Sequence, residues 1–315
     1  MMKRCDCNPL NDYLFKFIFG REERKRITLN FLNAVLDLDG EDELCDINFV
    51  DRELDPVFED DKLSRLDLFG IANDGSRINI EVQLVNLQNM EKRTLYYWAK
   101  MYQSLHRGDA YEELNRAITI NLLNFSMLPQ KQTHTMYGLY DLQSGHRLTE
   151  DLEIHFIEIP NFKVKSVKEL KRLERWIAYF STKLNDEETE ALAMSETAIR
   201  EAMDAEYVFM QDEVERWQYE QREKAMRDYI SGMRAWRREG LKQGIAEGIQ
   251  QGIEQGIQQG IAEGIQQGIQ QGIEQTSLQN IKSLMKNMNL SDVQAMEILQ
   301  IPVSEQKKYS DILHS

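Results

Sequence analysis

The sequence predicts an α/β domain, then a charged helical stretch, a tetrapeptide repeat and a short helical tail. Three observations support this. Apolar residues recur at spacings of three and four near the N-terminus, the period switches to two at Leu66, and eight Gly-Ile-x-x quartets run up to Gln275. The 315 residues suffice for about two domains and a sizeable core. Lys and Arg number 38 against 53 Asp and Glu, a formal charge of −15, so any nucleic-acid contact must be local rather than a bulk attraction to a polyanion.

Asn11 to Phe19 and Arg24 to Leu38 read as one or two helices, with Ile27, Phe31, Ala34 and Leu38 on one face. An acidic loop with Pro56 follows. Leu66 to Ile71, a turn at Asn73-Asp74-Gly75-Ser76 and Arg77 to Val85 then form a predicted β-hairpin. In its second strand Ile78, Ile80, Val82 and Leu84 share one face, and Asn79, Glu81 and Gln83 the other. A helix is expected over Gln88 to His106, with Leu95, Trp98, Tyr102 and Leu105 as its apolar stripe and Arg93 beside Tyr97. Arg116 to Phe125 fits a buried strand, and Met136 to Tyr140 and Glu153 to Ile159 flank a turn at Ser144-Gly145 as two more.

Asp67 interrupts an otherwise apolar strand, and Glu81 lies on its predicted hairpin partner. A buried acid is costly unless paired, hydrogen-bonded or bound to a cation. Two carboxylates joined by strand pairing suit Mg²⁺, which takes oxygen ligands and keeps water in its octahedron. The same spacing also accommodates one salt-bridged carboxylate beside an exposed edge residue. Asp12, or an acid between Glu41 and Asp61, stays open as a third ligand.

The ordered strings N-D-Y-L-F-K-F-I-F-G (Asn11 to Gly20), L-D-L (66 to 68), I-E-V-Q (80 to 83), Arg93 with Y-Y-W, G-D-A-Y-x-x-L (108 to 114), I-x-I-N-L-L-N-F (118 to 125) and I-H-F-I-E-I-P (154 to 160) resemble the Rpn family. Its members are recombination-promoting nucleases of the PD-(D/E)xK superfamily, also described as transposases. The resemblance covers about half of the chain, through about residue 165. It implies a restriction-endonuclease-like core, a mixed sheet flanked by helices, with Asp67 and Glu81 as Mg²⁺ ligands. Gln83 falls where the superfamily usually has lysine; its amide orients water but brings no positive charge. Lys16 is the first candidate for the compensating cation and Arg93 the second, with Arg93 and Tyr97 as candidate substrate contacts.

Other chemistries find little support. Cys5, Cys7 and Cys45 form no disulfide or zinc framework and are expected to be reduced. His106, His134, His146 and His155 lack metal or hydrolase spacing. Lys3 and Arg4 precede no apolar segment, and no run of about 18 apolar residues occurs, so a cytoplasmic protein without a membrane span is expected.

The expected domains are a nuclease-like core at 1–162, a helical extension at 163–239, the repeat at 240–275 and a helical module at 276–315. Arg227, Arg234, Arg237 and Arg238 around Tyr229 and Trp236 are the nearest approach to a basic-aromatic nucleic-acid surface, though acids lie among them. The repeat's nine glycines disfavour a lone helix, and its four-residue period drifts about 40° per quartet, so no single apolar face forms. A partly helical spacer and a self-association device both fit. In the tail, Ser291 is the expected cap before Val293, Met296 and Leu299.

The function expected is a Mg²⁺-dependent DNA endonuclease of limited sequence preference linked to recombination, working as a homo-oligomer. The alternatives are a weakly active or inactive DNA-binding or self-associating protein that keeps the fold, and a strand-transfer transposase.

Overall fold

The computed structural model describes residues 7–50, 68–103 and 110–314, within two units, Met1–Ser231 and Gly232–Ser315. In the first unit, α1 (Asp12–Phe19) begins at Asn11, whose side-chain oxygen accepts from the Tyr13 and Leu14 backbone N–H groups that a helix start leaves open. It buries Leu14, Phe15, Phe17, Ile18 and Phe19. α2 (Lys25–Leu36) buries Ile27, Phe31, Ala34 and Val35 and ends at Asp37 in the left-handed region.

Six strands form one mixed sheet in the order β1-β2-β3-β4-β6-β5. They are β1 (Ile47–Phe49), β2 (Leu68–Ala72), β3 (Arg77–Gln83), β4 (Ala117–Leu123), β5 (His134–Tyr140) and β6 (Arg147–Glu158). The expected hairpin is present as β2–β3, antiparallel with Leu68 opposite Ile80. Its turn depends on Gly75 at φ 84, where an added Cβ would stand 2.6 Å from the Asn115 side-chain oxygen. β3, β4 and β6 run parallel in that order, and β5 returns antiparallel to β6. The sequence pattern missed β1, which is three residues long and too short to show a period. β6 starts at Arg147, earlier than expected, because its first five residues are half-exposed and lack an apolar alternation.

The sheet has two unlike faces. Ile78, Ile80, Val82, Ile118, Ile120 and Leu122 pack into the main core with α1 and α2. α4 (Arg172–Ser181), α5 (Asp186–Ser195) and α6 (Thr197–Gln211) complete that core through Trp176, Phe180, Leu192, Ile199 and Phe209. The charged stretch after residue 162 therefore supplies much of the first unit's interior. On the other face α3 (Met90–Tyr102) packs with Tyr97 and Met101 against Phe69 and Ala117, and with Met90 near Leu123.

α3 corrects the expected stripe. It buries Met90, Thr94, Tyr97 and Met101, while Leu95 is 50% exposed, so the helix is rotated by about one residue from its most apolar orientation. The cause is polar: Thr94 donates to Asn121 Oδ1 at 3.0 Å and Arg93 reaches Glu81, both on the sheet beneath.

α7 (Glu213–Met288) is a single helix of 76 residues that includes the repeat. In the second unit, Ile245 to Ile273 are each 55–60% exposed. Beyond the repeat, Ile281 packs with Ala295 and Met296 of α8 (Asp292–Ile298) and Tyr309 of α9 (Val303–Leu313). Ser291 caps α8 by accepting from the Gln294 N–H, in reciprocal exchange with the Gln294 side chain. Among the described residues no helix is long and apolar enough to cross a membrane.

Candidate active site

Glu81 and Gln83 lie at the C-terminal end of β3, where the parallel strands β3 and β4 run out together. In open α/β sheets ligands gather at this end of the strands. Alternation puts both side chains on the α3 face, opposite the apolar Ile80 and Val82. Glu81 is 1% exposed, and its Oε2 accepts from Arg93 Nη2 at 2.8 Å. Taking a carboxylate out of water is costly, and the guanidinium offsets that cost by an ion pair under low screening. Arg93 in turn lies 5.5 Å over the Tyr97 ring.

A polar layer surrounds this pair. Asn79, Thr94, Thr119 and Asn121 are each no more than 2% exposed, and Asn121 is the Cα partner of Glu81 on β4. Asn121 Nδ2 donates to the His155 carbonyl at 3.0 Å while its Oδ1 accepts from Thr94, so one side chain ties β4 to β6 and to α3. Sequence reasoning missed Thr94 and Asn121. Their one signal was the presence of polar residues in runs otherwise fit for burial.

Gln83 is half-buried and lines a cleft of about 380 Å³, together with Asn11 and Asp12 of α1 and Arg222 and Tyr229 of α7. Arg222 Nη1 donates to Asp12 Oδ2 at 2.7 Å, and Asn11 Nδ2 to Glu223 Oε1 at 2.9 Å, so α7 is fastened to the start of α1 beside the cleft. Asp12 is thus held by an arginine. Lys16 is exposed on α1, one turn beyond Asp12 and one turn before Gly20, where an added Cβ would lie 3.1 Å from the Leu68 side chain. It does not line the cleft itself.

Of the sequence-predicted residues, the structure brings Glu81, Arg93 and Tyr97 together and places Gln83 on the same strand face. Tyr97 is 4% exposed and packs in the core, which corrects its expected role as a substrate contact: it supports Arg93 from below. Asp67 lies outside the described residues, as do His106 and most of the acidic loop. Leu68, which follows Asp67, pairs with Ile80, which precedes Glu81.

A family model described as PD-(D/E)XK nuclease family transposase matches residues 9–235. The chain belongs to the PD-(D/E)XK nuclease family transposases. The match runs well past residue 165, where the motif resemblance stops, because α4 to α6 are part of the same core. No curated protein and no solved structure matches the chain. The six-stranded mixed sheet with helices on both faces is consistent with the restriction-endonuclease-like fold of PD-(D/E)XK nucleases, which generally use divalent metal ions. A buried carboxylate at the strand ends, with an amide oxygen two residues on, is an oxygen donor set of the kind such ions take. Among the described residues no group of three His, Cys, Asp or Glu comes together, so a metal there would draw on Glu81, residues outside the described set, water and substrate.

A second titratable cluster lies across β5 and β6. The His134 and His155 rings stack, with Nε2 of the first 2.9 Å from Nδ1 of the second. Burial, helped by the neighbouring His155, pushes His134 down to about 4. Burial works to raise Glu153, but hydrogen bonds from His155 and Arg147 and the charge of Arg116 outweigh it and hold the carboxyl at about 2. The histidine spacing along the sequence gave no hint of this pair, because hairpin register creates it.

Proposed function

We propose that this protein is a Mg²⁺-dependent DNA endonuclease of limited sequence preference that promotes recombination, with Asp67 and Glu81 as the metal ligands. The observation that supports it most is the almost fully buried Glu81 at the C-terminal end of β3, in the I-E-V-Q string and beside the Gln83 cleft. When bound, the ion would neutralise charge on the scissile phosphate and acidify a ligated water. Gln83 would accept a hydrogen bond from the attacking water and set its approach in line with the leaving oxygen. Arg93 would stabilise the pentacoordinate phosphorane through charge-assisted hydrogen bonds and supply cationic charge that Gln83 lacks. Lys16, on the row of α1 that runs between the cleft and Leu68, would contact a flanking phosphate. Such contacts are local, as the charge of −15 requires, and the absence of a cysteine framework fits work in the cytoplasm.

A second reading is DNA binding without cleavage. The engagement of Arg93 with Glu81 favours it, because a guanidinium already satisfies the carboxylate. Cleavage of supercoiled plasmid by the full chain separates the two. With Mg²⁺ the expected result is nicked or linear DNA, with EDTA none, and with Asp67→Ala or Glu81→Gln a loss of about two orders of magnitude or more at an unchanged melting temperature. DNA bound but uncut by folded wild type would overturn the nuclease reading.

A further inference from the structure

Ile245 to Ile273 form a row of eight isoleucines spaced by four residues, each 55–60% exposed on α7. The glycine row Gly240 to Gly272 runs alongside, and a Cβ added at any of these glycines would meet nothing within 4 Å. Nine glycines in one helix cost on the order of 9 kcal/mol relative to alanine, and the exposed isoleucines return nothing while they face water. An unbroken helix through the repeat therefore calls for a surface that covers the isoleucine row.

The geometry narrows what that surface can be. Four residues turn a helix by about 400° and raise it about 6 Å, so the row advances about 40° per quartet in the right-handed sense. A straight partner meets two or three isoleucines before the row turns away. A partner with the same drift stays in contact along the whole repeat when the two helices wind about each other right-handedly, as apolar repeats longer than 3.6 residues do. A second copy of this chain has that drift by identity. It also brings the complementary relief, since each glycine leaves a gap beside the isoleucine row that the other copy's isoleucine can enter, and the exchange is reciprocal about a two-fold axis. With on the order of 100 Å² exposed per isoleucine, eight residues offer about 800 Å² per copy, what a standard interface takes from each partner. Repulsion is small, because Glu247, Glu254 and Glu263 are scattered among uncharged glutamines.

We propose that the Gly-Ile-x-x repeat pairs with the repeat of a second copy as a right-handed two-helix coil, isoleucines seated in glycine gaps. The proposal is independent of the nuclease reading, because its readout is mass. Sedimentation equilibrium of the full chain is expected to give a dimer. Replacing Gly252, Gly256, Gly260 and Gly264 with Ala improves each helix but fills the gaps; the dissociation constant should rise at least about tenfold while the helical circular dichroism signal holds or grows. Replacing Ile253, Ile257, Ile261 and Ile265 with Gln should give monomers. A monomeric wild type, a dimer that both sets leave intact, or a glycine-to-alanine set that tightens the dimer would overturn the proposal.

Discussion

Arg93 and Glu81 depend on each other, and that dependence can be measured. Removing the guanidinium leaves a carboxylate that is 1% exposed without its cation, so Arg93→Ala should lower stability by about 3 kcal/mol in urea unfolding. Glu81→Gln should cost much less, because an amide carries no charge to strand. Adding Glu81→Gln to Arg93→Ala should restore most of the loss, and a strictly additive double mutant would show that the pair is not coupled. Glu81 and Gln83 were legible in the sequence because strict alternation with Ile80 and Val82 fixes their face before any fold is known. The orientation of α3 was not legible. Ranking by hydrophobicity puts Leu95 and Trp98 inward, whereas Arg93 and Thr94 are held by partners on strands far along the chain.

At the scale of the element, the β5–β6 hairpin has the clearest pH signature. His134 sits at about 4 in the fold against 6.5 as a free side chain, so between those values the unfolded chain binds the extra proton. Stability is therefore full above pH 6.5 and falls as pH drops toward 4, by at most about 1.4 kcal/mol per pH unit. Glu153 is held at about 2 against 4.5, so its contribution is full above pH 4.5 and is lost as pH falls through 2. Melting temperature followed from pH 8 to 3 should thus start falling near 6.5, and His134→Asn should delay the onset to about 4.5. An onset unchanged by that substitution would assign the first window to another group. The hairpin was foreseen from its turn at Ser144-Gly145, but the histidine pair was not, because the two lie far apart in sequence and only register across the strands brings them together.

At the scale of the whole molecule, the sequence pattern distinguished a repeat and a tail from an α/β part, and the structure separates Met1–Ser231 from Gly232–Ser315. Less legible was how far the first unit's core extends. Residues 163 to 211 read as a charged extension because acids and bases crowd their outer faces, while Trp176, Tyr179, Phe180 and Phe209 occupy an inner face spread over three short helices. No period carries across the breaks between those helices. Each quartet of the repeat adds the same rise and the same turn, so removing the four quartets from Gly244 to Gln259 should weaken self-association and leave plasmid cleavage per folded chain unchanged. A parallel loss of both would mean that assembly is required for activity.

The uniform repeat has one more consequence, at the level of its gene. Four codons encode one quartet, and neighbouring quartets are nearly the same word, so a copying slip of one unit neither shifts the reading frame nor breaks the spacing of either row. Most helices tolerate such an insertion poorly, because it turns their buried face toward water. Here the coat of glutamine and the two winding rows are continued by whatever number of units is present, which makes the length of this segment open to inheritance as a graded trait.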